Sequence, residues 1–146
     1  MKAERLRTAW AAAGARVRDG TNDEAVRAFE RKHSVKLPWK IQQYFRCIDG
    51  MDADETDLFD IRFWSLAEVE PIAPQLGARL PERLSGYFVF ADYCLWTHAY
   101  AFNTAAHNQD DVILIGSDIS YQVAPSFDAF IDLYLVDPDR LLKAGP

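Results

Sequence analysis

Apolar residues recur at helical spacing through the first third of the chain and at strand spacing through most of the remainder. Leu6, Trp10, Ala13 and Val17 form one helical stripe, which Gly20 closes. Thr21-x-x-Glu24 fits a capping box and predicts a second helix that turns Val26 and Phe29 inward. Leu37-Pro38 opens a third, because proline's fixed φ suits the first helical position, where its missing N–H costs nothing. There Ile41, Tyr44, Phe45 and Ile48 fall at i, i+3, i+4 and i+7, and Asp49-Gly50 supplies a left-handed stop.

The period then changes. Phe59, Ile61 and Phe63 alternate with Asp60, Arg62 and Trp64, which predicts a half-buried strand. Ser65-x-x-Glu68 caps a short helix, and Pro71, Pro74, Gly77 and Pro81 make the stretch to Gly86 an irregular connection. Four further strands are predicted at Tyr87–Tyr93, Thr97–Asn103, Val112–Ile115 and Ser120–Ala124, spaced closely enough for an antiparallel meander. Ser126 caps a last helix with Phe127, Phe130, Ile131, Tyr134 and Leu135 inward, and Asp137-Pro138 starts a terminal turn with Leu141 and Leu142. This order predicts an α+β fold: N-terminal helices and a C-terminal helix packed on a twisted, mainly antiparallel sheet.

With 146 residues, 49% of them apolar, one domain over 1–146 can bury a sufficient core, with residues 1–25 as a helical N-terminal extension. Cys47 and Cys94 lie in apolar stretches without Cys or His neighbours at metal spacing, so the expectation is buried free thiols in a reducing compartment. No apolar run approaches the roughly 18 residues of a membrane span, which predicts a cytoplasmic protein with no membrane partner. Net charge is −6, but its distribution is uneven. Residues 1–48 hold 11 Lys/Arg against 5 Asp/Glu, and residues 49–146 hold 5 against 17. Such an acidic bulk repels phosphates, so nucleic acid is not an expected partner.

Six acids, Asp49, Asp52, Asp54, Glu55, Asp57 and Asp60, follow the third helix. They form either a solvated face or a surface for a cationic partner, with no equal run of base opposite them in the sequence. As a calcium loop the segment fails: Asp57 stands where glycine is needed and Phe63 where a bidentate Glu should be. His33, His98 and His107 lack metal spacing, and His98 reads as a hydrogen-bonded structural histidine, so no metal and no cofactor are expected. The chain has no Gly-x-Ser-x-Gly elbow and no phosphate-cradling glycine loop. Asp92 is either a general base over aromatic residues or a strand carboxylate bonded to backbone or Arg62. Trp10 belongs to the core stripe, and Trp64 opposes the apolar face of its strand. Trp39 lies about 160° from Ile41 on its helix, on the polar side with Gln43 and Arg46, and Trp96 sits in a turn. Each of these two is an interface anchor or a ring covered by neighbouring structure.

A set of ordered motifs carries a resemblance. They are Phe29-Glu30 ahead of Leu37-Pro38, the helix ending Ile48-Asp49-Gly50, Phe63-Trp64-Ser65-Leu66-x-Glu68-Val69, Phe88-Val89-Phe90-Ala91-Asp92-Tyr93, and Ala124-Pro125-Ser126-Phe127-x-x-Phe130-Ile131. In this order, from about Val26 to Leu142, they resemble the SUKH superfamily, named partly for yeast cell-wall synthesis regulators and widespread as bacterial immunity proteins of toxin systems. The resemblance implies a non-enzymatic binding role, foremost an immunity protein that occludes a cognate toxin domain. Trp39, Trp96, Asp92 and the six acids would then be the contact residues, steering toward a basic face such as a nucleic-acid-cleaving toxin presents. A regulatory scaffold module is the alternative, and an enzyme centred on Asp92 a third reading.

Overall fold

Capping, spacing and glycine placement account for most of the elements that form. A computed structural model describes residues 2–52, 55–57, 59–72, 81–94, 97–105, 109–116 and 120–142. Helix α1 spans Lys2–Ala12 and buries Ala3, Leu6 and Trp10. Val17 is not on that stripe. It starts a short strand, β1 (Val17–Asp19), because the chain leaves the helix before it and Arg16 and Arg18 alternate with it. Helix α2 (Asp23–His33) is capped by Asn22 rather than Thr21, the Asn22 side chain accepting the Ala25 amide. Helix α3 (Trp39–Cys47) has Pro38 at its N-cap and buries Ile41, Tyr44 and Phe45.

Ile48 is buried as expected, but as the first residue of strand β2 (Ile48–Met51), which pairs antiparallel with β1. Gly50 lies within that ribbon at φ 69°, where a Cβ would stand 2.3 Å from the Trp64 carbonyl. A second glycine seats the ribbon: a Cβ on Gly20 would lie 1.7 Å from the carbonyl oxygen of Arg46 at the end of α3. Only glycine allows β1 to enter so close to that helix.

The main sheet contains β3 (Ile61–Phe63), β4 (Glu70–Pro71), β5 (Tyr87–Tyr93), β6 (His98–Asn103), β7 (Val112–Ile115) and β8 (Ser120–Ala124). Its order is β3-β5-β6-β7-β8, with β4 sharing the β3 side of β5, and each pairing is antiparallel. Residues 66–69 make a single turn where a capped helix was expected, although Glu68 does accept the Ser65 amide and hydroxyl. Ser126 caps α4 (Phe127–Val136) by accepting the Ala129 amide, and α5 (Asp139–Leu142) ends the described chain.

Aromatic rings join the layers. Phe127 and Phe130 of α4 lie 5.4 Å from Phe90 of β5, and Trp10 of α1 lies 4.7 Å from Phe63 of β3. Helix α1 is therefore part of the core rather than an appendage to it, packing on α3 and α4 with Leu6 and Trp10 almost fully enclosed. The architecture is α+β, with helices at both ends of the chain around an antiparallel sheet. Among the described residues no helix is long and apolar enough to cross a membrane.

Candidate functional site

Pairing of β1 with β2 decides the electrostatics of the acidic segment, because it brings Arg16 and Arg18 over the residues that follow β2. The Arg16 amide and guanidinium donate to Glu55 at 3.2 and 3.1 Å, and these bonds hold its carboxyl below the usual range. Arg18 stands 3.9 Å from Asp49 and 3.8 Å from Asp52. Asp49 also accepts the Leu66 amide at 2.7 Å, tying β2 to the 66–69 turn. The expectation that these acids face no equal run of base is thus corrected: Arg18 of β1 and Arg16 just before it meet three of them, a pairing that the helical reading of Val17 had hidden. Asp52 and Asp60 remain exposed, and Asp54 lies outside the described residues.

Asp57 points the other way. It is 7% exposed, and one carboxylate oxygen accepts the amides of Phe59 at 2.7 Å and Ile61 at 3.0 Å. The other accepts the Tyr134 hydroxyl, whose oxygen in turn accepts the Trp10 indole N–H at 2.7 Å. This chain joins α1, the acidic segment and α4 in the interior. Burial raises the Asp57 carboxyl above its ordinary value, against the opposing pull of Tyr134 and the two amides, and burial with the neighbouring Asp57 raises the Tyr134 hydroxyl. Asp57 therefore shapes the acidic segment instead of presenting charge on it.

Asp92 is also turned inward, opposite Arg62 in the β3–β5 register, where it accepts the Trp64 indole N–H at 3.0 Å. Trp64 is itself 4% exposed, so its ring is core and not the outer face of a strand. The Arg62 guanidinium makes two bonds to Glu68, at 3.1 and 2.9 Å. Partial burial works against Glu68 ionisation, but that fork and the Ser65 bonds outweigh it and hold the carboxyl low. Asp92 is raised, first by burial, with Trp64 and Arg62 opposing. The structural reading of Asp92 fits better than that of a general base, but its partner is the Trp64 indole rather than backbone or Arg62, whose guanidinium bonds Glu68.

His98 stacks on Tyr93 with ring centroids 6.0 Å apart, and its buried Nδ1 has no hydrogen-bond partner among the described residues. Cys47 and Cys94 are free, but neither is buried as expected: Cys47 is partly exposed and Cys94 exposed. Among the described residues no group of three or more His, Cys, Asp and Glu is gathered as a metal site.

Trp39 is 59% exposed. Its ring sits beneath the Arg46 guanidinium, two turns further along α3, at 5.8 Å, and Arg46 is held in turn by Asp23 of α2 at 2.8 Å. The ring thus lies exposed at the surface with a cation on one face. Trp96 lies outside the described residues.

These features define an α+β protein whose buried carboxylates Asp57 and Asp92 are engaged within the fold and whose surface carries an exposed tryptophan beneath an arginine. A family model described as SMI1 / KNR4 family (SUKH-1) matches residues 20–133, and the chain belongs to that family. The match excludes α1 and β1 and stops one residue before Tyr134, so the Trp10–Tyr134–Asp57 chain is closed by residues outside it. No curated protein matches the sequence.

Proposed function

We propose that this protein is a cytoplasmic immunity protein, non-enzymatic, which binds a cognate toxin domain and blocks it by occlusion. Within a family of immunity and regulator-like proteins, the observation that carries this reading is Trp39, a large ring held in solvent by Arg46. Immobilised aromatic residues supply binding energy at low entropic cost, which is why tryptophan is enriched among residues that dominate interfaces. Asp52, Asp60 and Asp54 would supply the acidic rim that steers a basic toxin face inward, with Asp49 and Glu55 contributing what Arg18 and Arg16 leave unscreened. Trp96 is the second proposed anchor.

The test is binding kinetics and protection against the toxin domain encoded beside this gene. Wild type should bind it and rescue cells expressing it, whereas Trp39→Ala should raise the off-rate with little change in encounter. A neighbouring gene that encodes no toxin, with no protection conferred, would shift the assignment to a regulatory scaffold.

A further inference from the structure

A groove of about 300 Å³ runs between α2 and the 66–69 turn, with Asp49 of the acidic segment in its lining. Its floor is Phe29, Leu66 and Val69, all nearly enclosed, and its lips are the small side chains of Ala25, Ala28 and Ala67. Alanine at those three places leaves the floor reachable, as a larger residue would not. The volume is at the lower end of the roughly 300–1,000 Å³ of small-ligand pockets, which suits one bulky apolar side chain.

Charge at the groove ends selects what that side chain is attached to. At one end Asp49 is already engaged by the Leu66 amide and Arg18. At the other stand Lys32 and His33, with Lys36 beyond on the loop after α2. The remaining α2 cations are paired, Arg27 and Arg31 with Glu24. Lys32 and Lys36, by contrast, have no carboxylate within ion-pair reach among the described residues, so Lys32 brings an unpaired positive charge to the groove. His33 contributes a wall, its ring centroid 4.5 Å from that of Phe29 in a tilted contact and 5.1 Å from that of Phe88 edge-on.

We propose that this groove is a second recognition site, for an acidic peptide segment that seats one leucine- or phenylalanine-like side chain on Phe29, Leu66 and Val69 and places a carboxylate on Lys32. It does not rest on the toxin assignment, whose anchor is Trp39 and whose charge is of the opposite sign, although Asp49 borders both surfaces.

The probe is a pair of short blocked peptides with a central leucine, flanked by Asp and Glu in one and by Lys in the other, titrated to millimolar concentration into the isotope-labelled full chain. The acidic peptide should shift amide resonances within 21–33 and 66–69, and the basic peptide should bind at least about fivefold more weakly. Ala67→Trp should fill the groove and abolish the shifts, and Lys32→Glu should invert the preference between peptides, with near-UV circular dichroism confirming an intact core in both. Shifts gathered around Trp39 instead, equal binding of both peptides, or binding undiminished by Ala67→Trp and Lys32→Glu would each overturn the proposal. Trp39→Ala should leave peptide binding intact, so loss of toxin binding and loss of peptide binding are read separately.

Discussion

The acidic segment and the outer edge of α3 are neighbours in sequence, yet they use their conspicuous residues in opposite ways. Between Asp49 and Asp60, charge that reads as a surface is largely consumed: Asp57 anchors the interior, while Asp49, Asp52 and Glu55 are met by Arg18 and Arg16. On α3, Trp39 belongs to a residue type that is highly buried on average, but it is held outside. Charge density along a chain is therefore a poor measure of charge presented to a partner, since any antiparallel neighbour can neutralise it. The exposed Trp39 ring beneath Arg46 is the feature on which the proposed interface rests.

The inward half of that contrast should respond most strongly. Asp57→Ala removes the acceptor for the Tyr134 hydroxyl and two amides and should destabilise the fold by about 3 kcal/mol in urea unfolding, against less than about 0.5 kcal/mol for exposed Asp60→Ala. Phe45→Ala, at a fully enclosed position, sets the scale for pure packing loss at roughly 3–5 kcal/mol. Equal melting of the Asp57 and Asp60 variants would erase the distinction between the two kinds of acid.

The outward half is tested by Trp39→Ala. It should cost roughly 2 kcal/mol of partner affinity through the off-rate while changing stability by less than about 0.5 kcal/mol. A large loss of stability instead would mean the ring serves the fold.

A pH comparison sharpens the picture for buried carboxylates. Asp92 ionises near 3.8 in the unfolded chain, and burial moves its ionisation higher in the fold. Between those two values the folded protein keeps a proton that the unfolded chain has lost, so stability falls as pH rises. Asp92→Asn, whose amide oxygen can still accept from Trp64, should therefore gain on wild type between pH 3 and pH 7 in parallel urea titrations. The Arg62–Glu68 pair has the reverse sign: its stabilisation is present above the ordinary glutamate range and lost as pH falls through the lowered folded value.

The smallest effect concerns the neutralising arginines. Arg18→Ser should free Asp49 and Asp52 and speed association with a basic partner about two- to threefold at low salt, an advantage that disappears at high salt. An unchanged rate would show that these acids lie outside the contact.

Elements built on local chemistry were legible from the residues alone. The Ser126 cap, the apolar face of α3 and the bounds of β5, β7 and β8 follow from neighbours within a few positions, where backbone dihedrals and side-chain period decide the outcome. The α+β class and the kinship with SUKH proteins came from the order of those elements. Helical geometry also set Trp39 on the polar side of α3, apart from Ile41 and Phe45, but whether another element covers the ring was decided only by the tertiary structure, which leaves it exposed. What required the tertiary structure was every relation across long sequence distance. The β1–β2 ribbon places arginines over the acids, Tyr134 reaches back to Asp57, Trp64 meets Asp92, and α2 leaves a groove against the 66–69 turn. A carboxylate's role depends on which donors reach it in space, and no pattern of spacing along the chain carries that distance.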